Sequence, residues 1–476
     1  MKTLKHLSSV FLLALTIGSS SAQTRYIDDV FTQVTTTSDI VYGRNRTATG
    51  TEQNLLLDLY EPTSDVATNR PLIIMCHEGS FLFGSKTDPY MVNYATRMAK
   101  KGYVVACMTY RSGWVPNTTP TGTAEDNTRR ILPAAWRAIQ DYKTAVRFFK
   151  KNAAVSGNTY KIDPAKIIGG GFGAGAYLPV NAELLDVSSE LALASLQRKA
   201  DNDPTNNPDT GPYIDTTQVD LGGIYDTRGG SPGFSFKVPL VLIYSGAIID
   251  TLTMDKGTNP KAIAAHGDLD ETTPYKTAVV NAQLAPGQLT PIVKVHGTYQ
   301  ITRLLTKKGI NDFTNVNSDG FPQKMIADTK FGPLNMYQRG VYTFVNQTYM
   351  PWDCAQDDYT TTCQLYMDTV VKYSCPRIAK TLNLVSTGVS VVLGDGIKSM
   401  LVYPSPAAGN VTISLRDFKA RTFDLAVYDI TGKLVKAAHS LPVDNYTLER
   451  SDLPAGIYFI KANADGQTLT DKIILE

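Results

Sequence analysis

The stretch Lys166-Ile-Ile-Gly-Gly-Gly-Phe-Gly-Ala-Gly-Ala-Tyr-Leu178 decides how the chain folds. A short apolar run, residues 166–168, enters a burst of glycines, and a helix-forming stretch, 174–186, follows it. A buried strand that turns sharply into a helix is the setting of the nucleophile elbow G-x-S-x-G, whose small residues let strand and helix pack closely. The matching residues are 171–175, with Gly173 at the serine position. Because glycine has no side chain that could attack a carbonyl, the stretch predicts the elbow without its nucleophile.

Around this stretch, apolar runs alternate with segments of helical spacing. Continuous apolar runs predict strands buried on both faces, and they occupy residues 72–76, 104–109, 240–244 and 262–265. Residues 91–101 and 127–154 carry apolar side chains at helical spacing, and we assign the aromatic stripe of the second to the core. Residues 27–41 and 55–60 predict an antiparallel start. The alternation indicates an α/β fold, a mostly parallel sheet with helices on both faces.

The C-terminal part of the chain has a different texture. From residue 400 short alternating runs are separated by turn signals such as Thr431-Gly432, which predicts a small all-β sandwich. We place the first domain at 23–376, a linker at 377–399 and the second domain at 400–476. Residues 196–236, rich in Asp, Asn, Pro and Gly, are expected to form a surface insertion, either a lid or a disordered insert.

The N-terminus has the pattern of a secretory signal. Lys2 and Lys5 precede an apolar run at 10–17 and the small residues 20–22, which predicts a signal peptide over 1–22. No other stretch approaches the length that crosses a bilayer. Without those 22 residues and their two lysines, the 46 basic residues become 44 and equal the 44 acidic ones. Nothing in this charge balance suggests nucleic acid or an anionic surface as a partner.

Five cysteines fall into two groups. Cys76 and Cys107 lie inside apolar runs and are expected to be buried small hydrophobes. Cys354, Cys363 and Cys375 cluster in a polar segment. In an exported protein two of these three are expected to form a disulfide, which leaves one thiol unpaired. Their spacing fits no zinc site.

A glycine-containing loop follows the strand predicted at 72–76. Its sequence is His77-Glu78-Gly79-Ser80-Phe81. Backbone N–H groups of Gly79 and Ser80, together with that of Ala174, could form an oxyanion hole. The equally weighted alternative is a tight turn that needs glycine. His77-Glu78 lacks the second histidine of a zinc-protease helix, so we expect no metal there.

A candidate acid and a candidate base lie further along the chain. Asp270, in the segment 266–275, follows an apolar run and is placed to orient a histidine. His296 is the only candidate base after it in the first domain, provided that residues 291–295 form the next strand. The alternative that we favour places that strand at 311–316. The base would then fall at 318–321, where no histidine stands.

Residues 50–345 resemble the α/β-hydrolase superfamily, on the side of secreted esterases, lipases and feruloyl-esterase-like proteins. The resemblance is carried by segments 77–81, 141–149, 162–164 and 266–275. It implies an ester hydrolase with a Ser-acid-His triad, no cofactor and no metal, acting on a small-molecule or polysaccharide-linked ester. Gly173 stands at the nucleophile position and Asp270 at that of the acid. The triad histidine is missing from its usual place, which leaves His296 as a doubtful base.

Residues 400–476 resemble the C-terminal sorting domain of the type IX secretion system of Bacteroidota. The motifs that carry this resemblance are residues 402–406, 427–433, 453–458 and 471–475. It implies the type IX machinery as a partner and a location outside the cell or on its surface. An adhesive β-sandwich is the alternative.

Two functional hypotheses follow. The first is a secreted ester hydrolase with a surrogate nucleophile, Ser80 or Ser245, although neither lies on an elbow. The second, a non-catalytic member of the same superfamily, keeps the cleft as a ligand-binding site. A serine lost by one isolated replacement is a third possibility, but the missing histidine argues against it.

Overall fold

The structure is a computed structural model. It describes residues 24–118, 123–198, 211–254, 259–285, 288–313, 316, 325–328, 332–335, 339–344, 361–384, 399–403, 407, 409–416, 420–443, 446–450 and 453–475. The signal peptide predicted at 1–22 and residues 385–398 of the predicted linker lie outside these ranges.

The first domain is built from thirteen strands and five α-helices in the described residues. The strands are β1 (Val34–Arg46), β2 (Glu52–Pro62), β3 (Arg70–Cys76), β4 (Val104–Met108), β5 (Ile162–Phe172), β6 (Leu240–Tyr244), β7 (Ala247–Ile248), β8 (Lys261–Gly267), β9 (Thr277–Ala285), β10 (Gln288–Gly297), β11 (Met325–Asp328), β12 (Gly332–Asn335) and β13 (Val341–Phe344). The helices are α1 (Pro89–Lys100), α2 (Ala124–Val155), α3 (Tyr177–Leu184), α4 (Thr298–Lys307) and α5 (Thr361–Thr381).

Eight of these strands form one sheet in the order β1-β2-β4-β3-β5-β6-β8-β13. Strand β2 pairs antiparallel with β1 and β4, and every other neighbouring pair is parallel. The apolar runs predicted as buried strands are β3, β4, β6 and β8, and nearly all of their residues are buried. This confirms the predicted α/β fold with its antiparallel start and parallel centre.

Helices cover both faces of the sheet. One apolar cluster joins the sheet to α2, α3 and α4 and contains Trp136, Leu178 and Ile301. The other joins the opposite face to α1 and α5 and contains Tyr94 and Met367. Because the strands of a parallel sheet need cover on both sides, this arrangement explains their continuous apolar sequences.

Helix α2 begins three residues before the predicted start at 127. The Oγ1 atom of Thr123 accepts the backbone N–H of Asp126 at 3.1 Å, and the Asp126 carboxylate accepts the N–H of Thr123 at 3.1 Å. This reciprocal pair is a capping box, with aspartate in place of the usual glutamate or glutamine. It satisfies donors that the first turn of a helix leaves unpaired.

The strand that we favoured at 311–316 is wrong. Residues 311–313 have no regular structure, and the last strand of the sheet is β13, which pairs parallel with β8. The side chain of Asn311 explains this, since its amide accepts the N–H of Ala262 at 3.0 Å and donates to the Ala262 carbonyl at 2.8 Å. Residues 291–295 do form a strand, within β10, but β10 belongs to a separate three-stranded sheet with β7 and β9.

Helix α5 crosses the predicted boundary at 376–377. It continues to Thr381, and Ile378 and Leu382 are buried in the same cluster as the rest of the helix. The first domain therefore extends past residue 376. Of the clustered cysteines, Cys363 is disulfide-bonded, Cys375 is a free buried thiol, and Cys354 lies outside the described residues.

The described part of the predicted insertion is attached to α2. Tyr213 donates to the Glu125 carboxylate at 2.7 Å, and the indole N–H of Trp136 donates to the carbonyl of Gly222 at 2.7 Å. Residues 199–210 lie outside the described residues. This attachment places residues 211–224 along the helix that faces the cavity described below.

The described part of the second domain contains seven strands in two sheets. They are β14 (Ser399–Tyr403), β15 (Val411–Arg416), β16 (Thr422–Asp429), β17 (Leu434–Pro442), β18 (Tyr446–Leu448), β19 (Gly456–Ala464) and β20 (Gln467–Leu475). Their orders are β14-β15-β18 and β17-β16-β19-β20. Ile413 from the first sheet and Leu425 and Ile460 from the second share one buried cluster, which confirms the predicted sandwich. None of the helices described in either domain is long and apolar enough to cross a membrane.

Candidate ligand-binding cleft

The glycine-rich stretch forms the predicted strand–turn–helix. Strand β5 ends at Phe172, a 3₁₀ turn spans Gly173–Ala176, and α3 follows. Gly173 has a φ of 49°, in the left-handed region. A Cβ on Gly171 would lie 2.4 Å from the carbonyl carbon of Gly175, and one on Gly175 would lie 2.2 Å from the carbonyl oxygen of Cys76. Both contacts are with backbone, so strand and helix pack this closely only without those side chains.

The loop after β3 has a strained backbone. Ser80 and Phe81 have φ values of 53° and 59°, and Gly79 has a φ of 116°. The carbonyl of Gly79 accepts the N–H of Leu82 at 2.8 Å, and a Cβ on Gly79 would come within 2.1 Å of the Phe83 carbonyl oxygen. Left-handed conformations of residues other than glycine are uncommon and cluster at functional sites.

His77 supports this loop from below. Its ring stacks on Tyr110 with a centroid distance of 4.2 Å, and its Nδ1 donates to the carbonyl of Glu78 at 2.6 Å. Burial lowers the pKa of His77, against the opposing effect of that hydrogen bond. The neutral, buried ring fixes the loop and is not part of the cavity lining.

A cavity of about 600 Å³ opens beside Gly173. All three predicted oxyanion-hole residues, Gly79, Ser80 and Ala174, line it. Its other lining residues are mostly apolar and comprise Glu78, Phe81, Phe83, Ile131, Leu132, Ala135, Trp136, Ile139, Tyr177, Asn181, Leu185, Leu196, Ile214, Ile249, Glu271, Thr272, Thr273, Val280, Ile292, Val293 and Val295. The volume lies within the range of about 300–1,000 Å³ found for small-molecule sites.

Asp270 lies next to a histidine, but that histidine is His266. One Asp270 oxygen, Oδ1, accepts the backbone N–H groups of Thr272 and Thr273, each at 2.9 Å. The other, Oδ2, lies 3.3 Å from His266 Nε2. It is buried and has no hydrogen-bond partner among the described residues. The carbonyl oxygen of Thr273 lies 2.9 Å from His266 Nε2 and can only accept a hydrogen bond. Thr298 Oγ1 lies 2.8 Å from His266 Nδ1. These partners assign the His266 proton to Nε2 and aim it at Thr273.

His296, the candidate base, has other neighbours. Its Nδ1 shares a hydrogen bond with Thr277 Oγ1 at 2.8 Å, and the residue is not part of the cavity lining. Partial burial lowers its pKa, with Asp250 opposing the effect. Ser245 is buried, has a φ of 56° and does not line the cavity either. Of the two candidate surrogate nucleophiles, only Ser80 faces the space where a ligand could lie.

Two features of the cavity were missed by the sequence analysis. Trp136 was assigned to the core, yet the same buried ring lines the cavity. Glu78 was not considered as a site residue. Burial, with a smaller effect of Asp88, raises the pKa of the Glu78 carboxyl to about 8. Its place between His77 and Gly79 in the candidate oxyanion loop was the available signal. Among the described residues, no group of three or more His, Cys, Asp or Glu side chains could hold a metal ion.

Solved esterase structures resemble the chain at low identity. A thermophilic esterase of Thermogutta terrifontis with propionate bound has 13% identity and a TM-score of 0.36, over 73% of this chain and 95% of its own. A truncated carbohydrate esterase from gut microbiota has 17% identity and a TM-score of 0.31, over 52% of this chain and 81% of its own. A bifunctional GH43-CE protein of Bacteroides eggerthii has 15% identity and a TM-score of 0.37, over 71% of this chain and 35% of its own. These scores are too low to support an inference about activity.

Two family models match the sequence directly. The BD-FAE model matches residues 57–203, and that of the secretion system C-terminal sorting domain matches residues 401–476. No curated protein gives a significant match. The first match covers strands β3 to β5 and the elbow, and the second covers nearly the whole sandwich. The chain thus joins an esterase-like α/β-hydrolase domain, which the BD-FAE model matches in part, to a secretion-system C-terminal sorting domain.

Proposed function

We propose that the cleft beside Gly173 binds an apolar ligand and does not cleave it through an acyl-enzyme. The observation that carries this proposal is that the residue at the turn of the elbow, which lines a largely apolar cavity of about 600 Å³, is a glycine. The fold and the loop geometry of an esterase are present around a position that offers no nucleophile. A cavity with few polar groups is suited to hold a ligand by burial of apolar surface.

The surroundings of Asp270 support the same proposal. In a working triad an acid oxygen accepts a proton from the histidine that serves as base. Here Oδ2 of Asp270 has no hydrogen-bond partner among the described residues, and His266 is held by Thr273 and Thr298. The sequence contains no histidine between His296 and His439. No histidine after β13 in the first domain is therefore available as the missing base.

The second candidate function is hydrolysis with Ser80 as the nucleophile. Ser80 lines the cavity, and its strained backbone is typical of functional loops. A serine needs an adjacent base, however, and the nearest histidine in the chain, His77, is buried and bound to the Glu78 carbonyl. We therefore propose binding as the function, and the C-terminal sorting domain indicates export by the type IX system as the setting in which it occurs.

The first prediction concerns turnover. We expect the full chain to hydrolyse p-nitrophenyl acetate and butyrate no faster than about 10³–10⁴ times the uncatalysed rate. That is the rate enhancement that binding and an oxyanion hole supply without a triad. We expect Gly173→Ser to change this less than tenfold, because the new hydroxyl has no base. The measurement is initial rates of both proteins between pH 6 and pH 9.

Ser80→Ala is the matched control in the same loop. Turnover by the wild type that this change abolishes would show that Ser80 is a nucleophile and would contradict the proposal. A large gain by Gly173→Ser with the pH profile of a neutral histidine would show an intact base. Unchanged low rates in the wild type, Gly173→Ser and Ser80→Ala would support the proposal that the cleft binds its ligand without cleaving it.

A further inference from the structure

The charged side chains in the described lining of the cavity are all acidic. Its described lining includes two carboxylic acids, Glu78 and Glu271, and no lysine, arginine or histidine. Glu271 is exposed, whereas Glu78 is only partly exposed. An anionic ligand, such as the free acid released from an ester, would meet a carboxyl group with no compensating cation.

Glu78 has no ionic partner among the described residues. Its backbone N–H donates to the Tyr90 hydroxyl at 3.0 Å, and that hydroxyl donates to Asp88 Oδ2 at 3.2 Å. The nearby charge is therefore also negative, and no ion pair of Glu78 occurs among the described residues. A carboxylate that is partly removed from water and has no neighbouring cation is unfavourable. A positively charged ligand group would relieve that cost.

Aromatic residues line the same cavity as Glu78. Phe81, Phe83 and Tyr177 all line the cavity, and the rings of Phe81 and Tyr177 meet edge to face with centroids 6.4 Å apart. The backbone of Phe83 packs directly against Gly79, the residue that follows Glu78. Aromatic faces attract ammonium groups through their quadrupoles. A cavity lined by both a carboxylate and aromatic rings is suited to a cation, whereas the carboxylate would repel a developing oxyanion.

We propose that the ligand of the cleft carries a protonated amine, held beside Glu78, and an apolar body that fills the rest of the cavity. This inference rests on the proposed function, because it concerns what the cleft binds without cleaving it. The Leu132, Ile214 and Ile292 side chains that line the cavity supply apolar surface for the body. Because Glu78 carries a carboxyl group, the loop that was a candidate oxyanion site is better suited to bind a cation.

The test compares three probes that share one apolar chain: decylamine, decanol and decanoate. Each is titrated calorimetrically into the full chain at pH 8, below the concentration at which the probe forms micelles. We expect decylamine to bind most tightly and decanoate most weakly. Glu78→Gln keeps the shape of the side chain and removes its charge, so it is expected to weaken decylamine binding about 10- to 100-fold, the range for a hydrogen bond to a charged group. Decanol binding should change less than threefold.

Glu271→Gln is the matched control, since it removes the exposed carboxylate of the same lining. Because water screens that charge, we expect less than a threefold change for decylamine. A pH series gives a second readout. The amine selects ionised Glu78, whose pKa in the free protein is about 8. Decylamine affinity should therefore fall as the pH drops below 8, towards the affinity of Glu78→Gln, and this fall should be absent in that variant.

The outcomes separate the two proposals. If decanol binds as tightly as decylamine, or if Glu78→Gln weakens both equally, the amine assignment is wrong and the cleft remains a binding site. Tightest binding of decanoate also overturns the assignment. If none of the probes binds to either protein, the binding function itself fails together with the inference. Retained decanol binding by Glu78→Gln shows that the variant is folded.

Discussion

Replacing Asp141 by asparagine is expected to lower the free energy of unfolding of the α/β domain by about 3–5 kcal/mol, the effect of breaking a buried ion pair from one side. Asp141 and Arg111 are both fully buried, and the carboxylate accepts the Arg111 backbone N–H at 2.7 Å and its Nε–H at 2.9 Å. Asparagine retains the shape but has no charge, so the guanidinium would remain buried without its counter-ion.

Arg111 cannot relax to another carboxylate. Its guanidinium already donates to the carbonyls of Arg46, Asp220 and Arg137. The Asp220 carboxylate is engaged by the guanidinium of Arg137 at 2.7 Å. These bonds join β1, the loop after β4, α2 and the segment near residue 220. Loss of the Asp141 charge should therefore weaken the wall of the cleft together with the core.

Urea unfolding followed by tryptophan fluorescence measures this effect, because all three tryptophans precede residue 400 and report on the first domain. Glu52→Gln is the matched control. It removes one partner of the exposed Arg44–Glu52 pair, whose atoms are 3.1 Å apart, and should change stability by less than about 1 kcal/mol. Equal small losses in both variants would contradict the role assigned to the buried pair.

The elbow could be predicted from sequence because its requirements are local. Gly171 and Gly175 are needed where backbone approaches backbone, and the apolar run before them and the helical stretch after them are visible in a dozen residues. The same holds for the runs that became β3, β4, β6 and β8, whose burial on both faces leaves a continuous apolar pattern. The capping box of α2 was also present in the sequence, as Thr123 and Asp126, although it was not used.

The last strand could not be predicted because it depends on contacts between distant residues, and the partner of Asp270 could not be predicted because it depends on the exact path of a loop. Asn311 occupies backbone groups of Ala262 that a neighbouring strand would otherwise pair, and 49 residues separate them. His266 lies beside Asp270 because the chain turns after β8, and the N–H groups of Thr272 and Thr273, which follow Asp270, hold its carboxylate in place. Neither path leaves a periodic signal.

Helical periodicity also cannot separate core from cavity. Trp136 and Ile139 lie on the stripe of α2 that was assigned to the core, and both are buried. Both nevertheless line the cavity, since one apolar face of the helix continues from the sheet to the cleft. Burial alone makes the two environments look alike in sequence. Only the position of α3 and of the segment near Ile214 shows where packing ends and the cavity begins.

The second large effect is expected at Lys143, a lysine buried in α2. Its Nζ donates to the carbonyls of Leu185 and Ile224 at 3.3 Å each and lies 4.3 Å from the centre of the Phe236 ring. Burial, with smaller effects of the positive charges of Arg147 and Lys237, lowers the pKa of Lys143 from 10.5 to about 7. The folded protein therefore resists charging this group, whereas the unfolded chain does not.

The sign of the pH dependence follows from this difference. Between pH 7 and pH 10.5 the unfolded chain binds more protons at Lys143 than the folded protein does, so stability rises with pH in that window. The gain in the free energy of unfolding from this difference is complete above pH 10.5 and is lost as the pH falls to 7. A lowering of about three pKa units corresponds to about 4–5 kcal/mol over the whole window, or about 1 kcal/mol per pH unit.

Lys143→Met removes the titrating group and keeps most of the side-chain volume. We expect the free energy of unfolding of the wild type, minus that of the variant, to increase by about 2 kcal/mol between pH 7.5 and pH 9.5. Glu183, whose pKa burial raises to about 7, is ionised through most of this range in both proteins and contributes little to the slope. Urea unfolding at each pH gives the difference.

Lys151→Met, at an exposed position of the same helix, is the matched control, and its difference from the wild type should not change with pH. A flat difference for Lys143→Met would mean that Lys143 keeps its proton in the folded protein. It would then be charged between the Leu185 and Ile224 carbonyls, and the wall of the cleft would carry a buried cation at neutral pH. A rising difference would show instead that Lys143 is neutral in the folded protein, so that stability increases as the lysine of the unfolded chain loses its proton, and this pH range overlaps the one in which Glu78 becomes ionised.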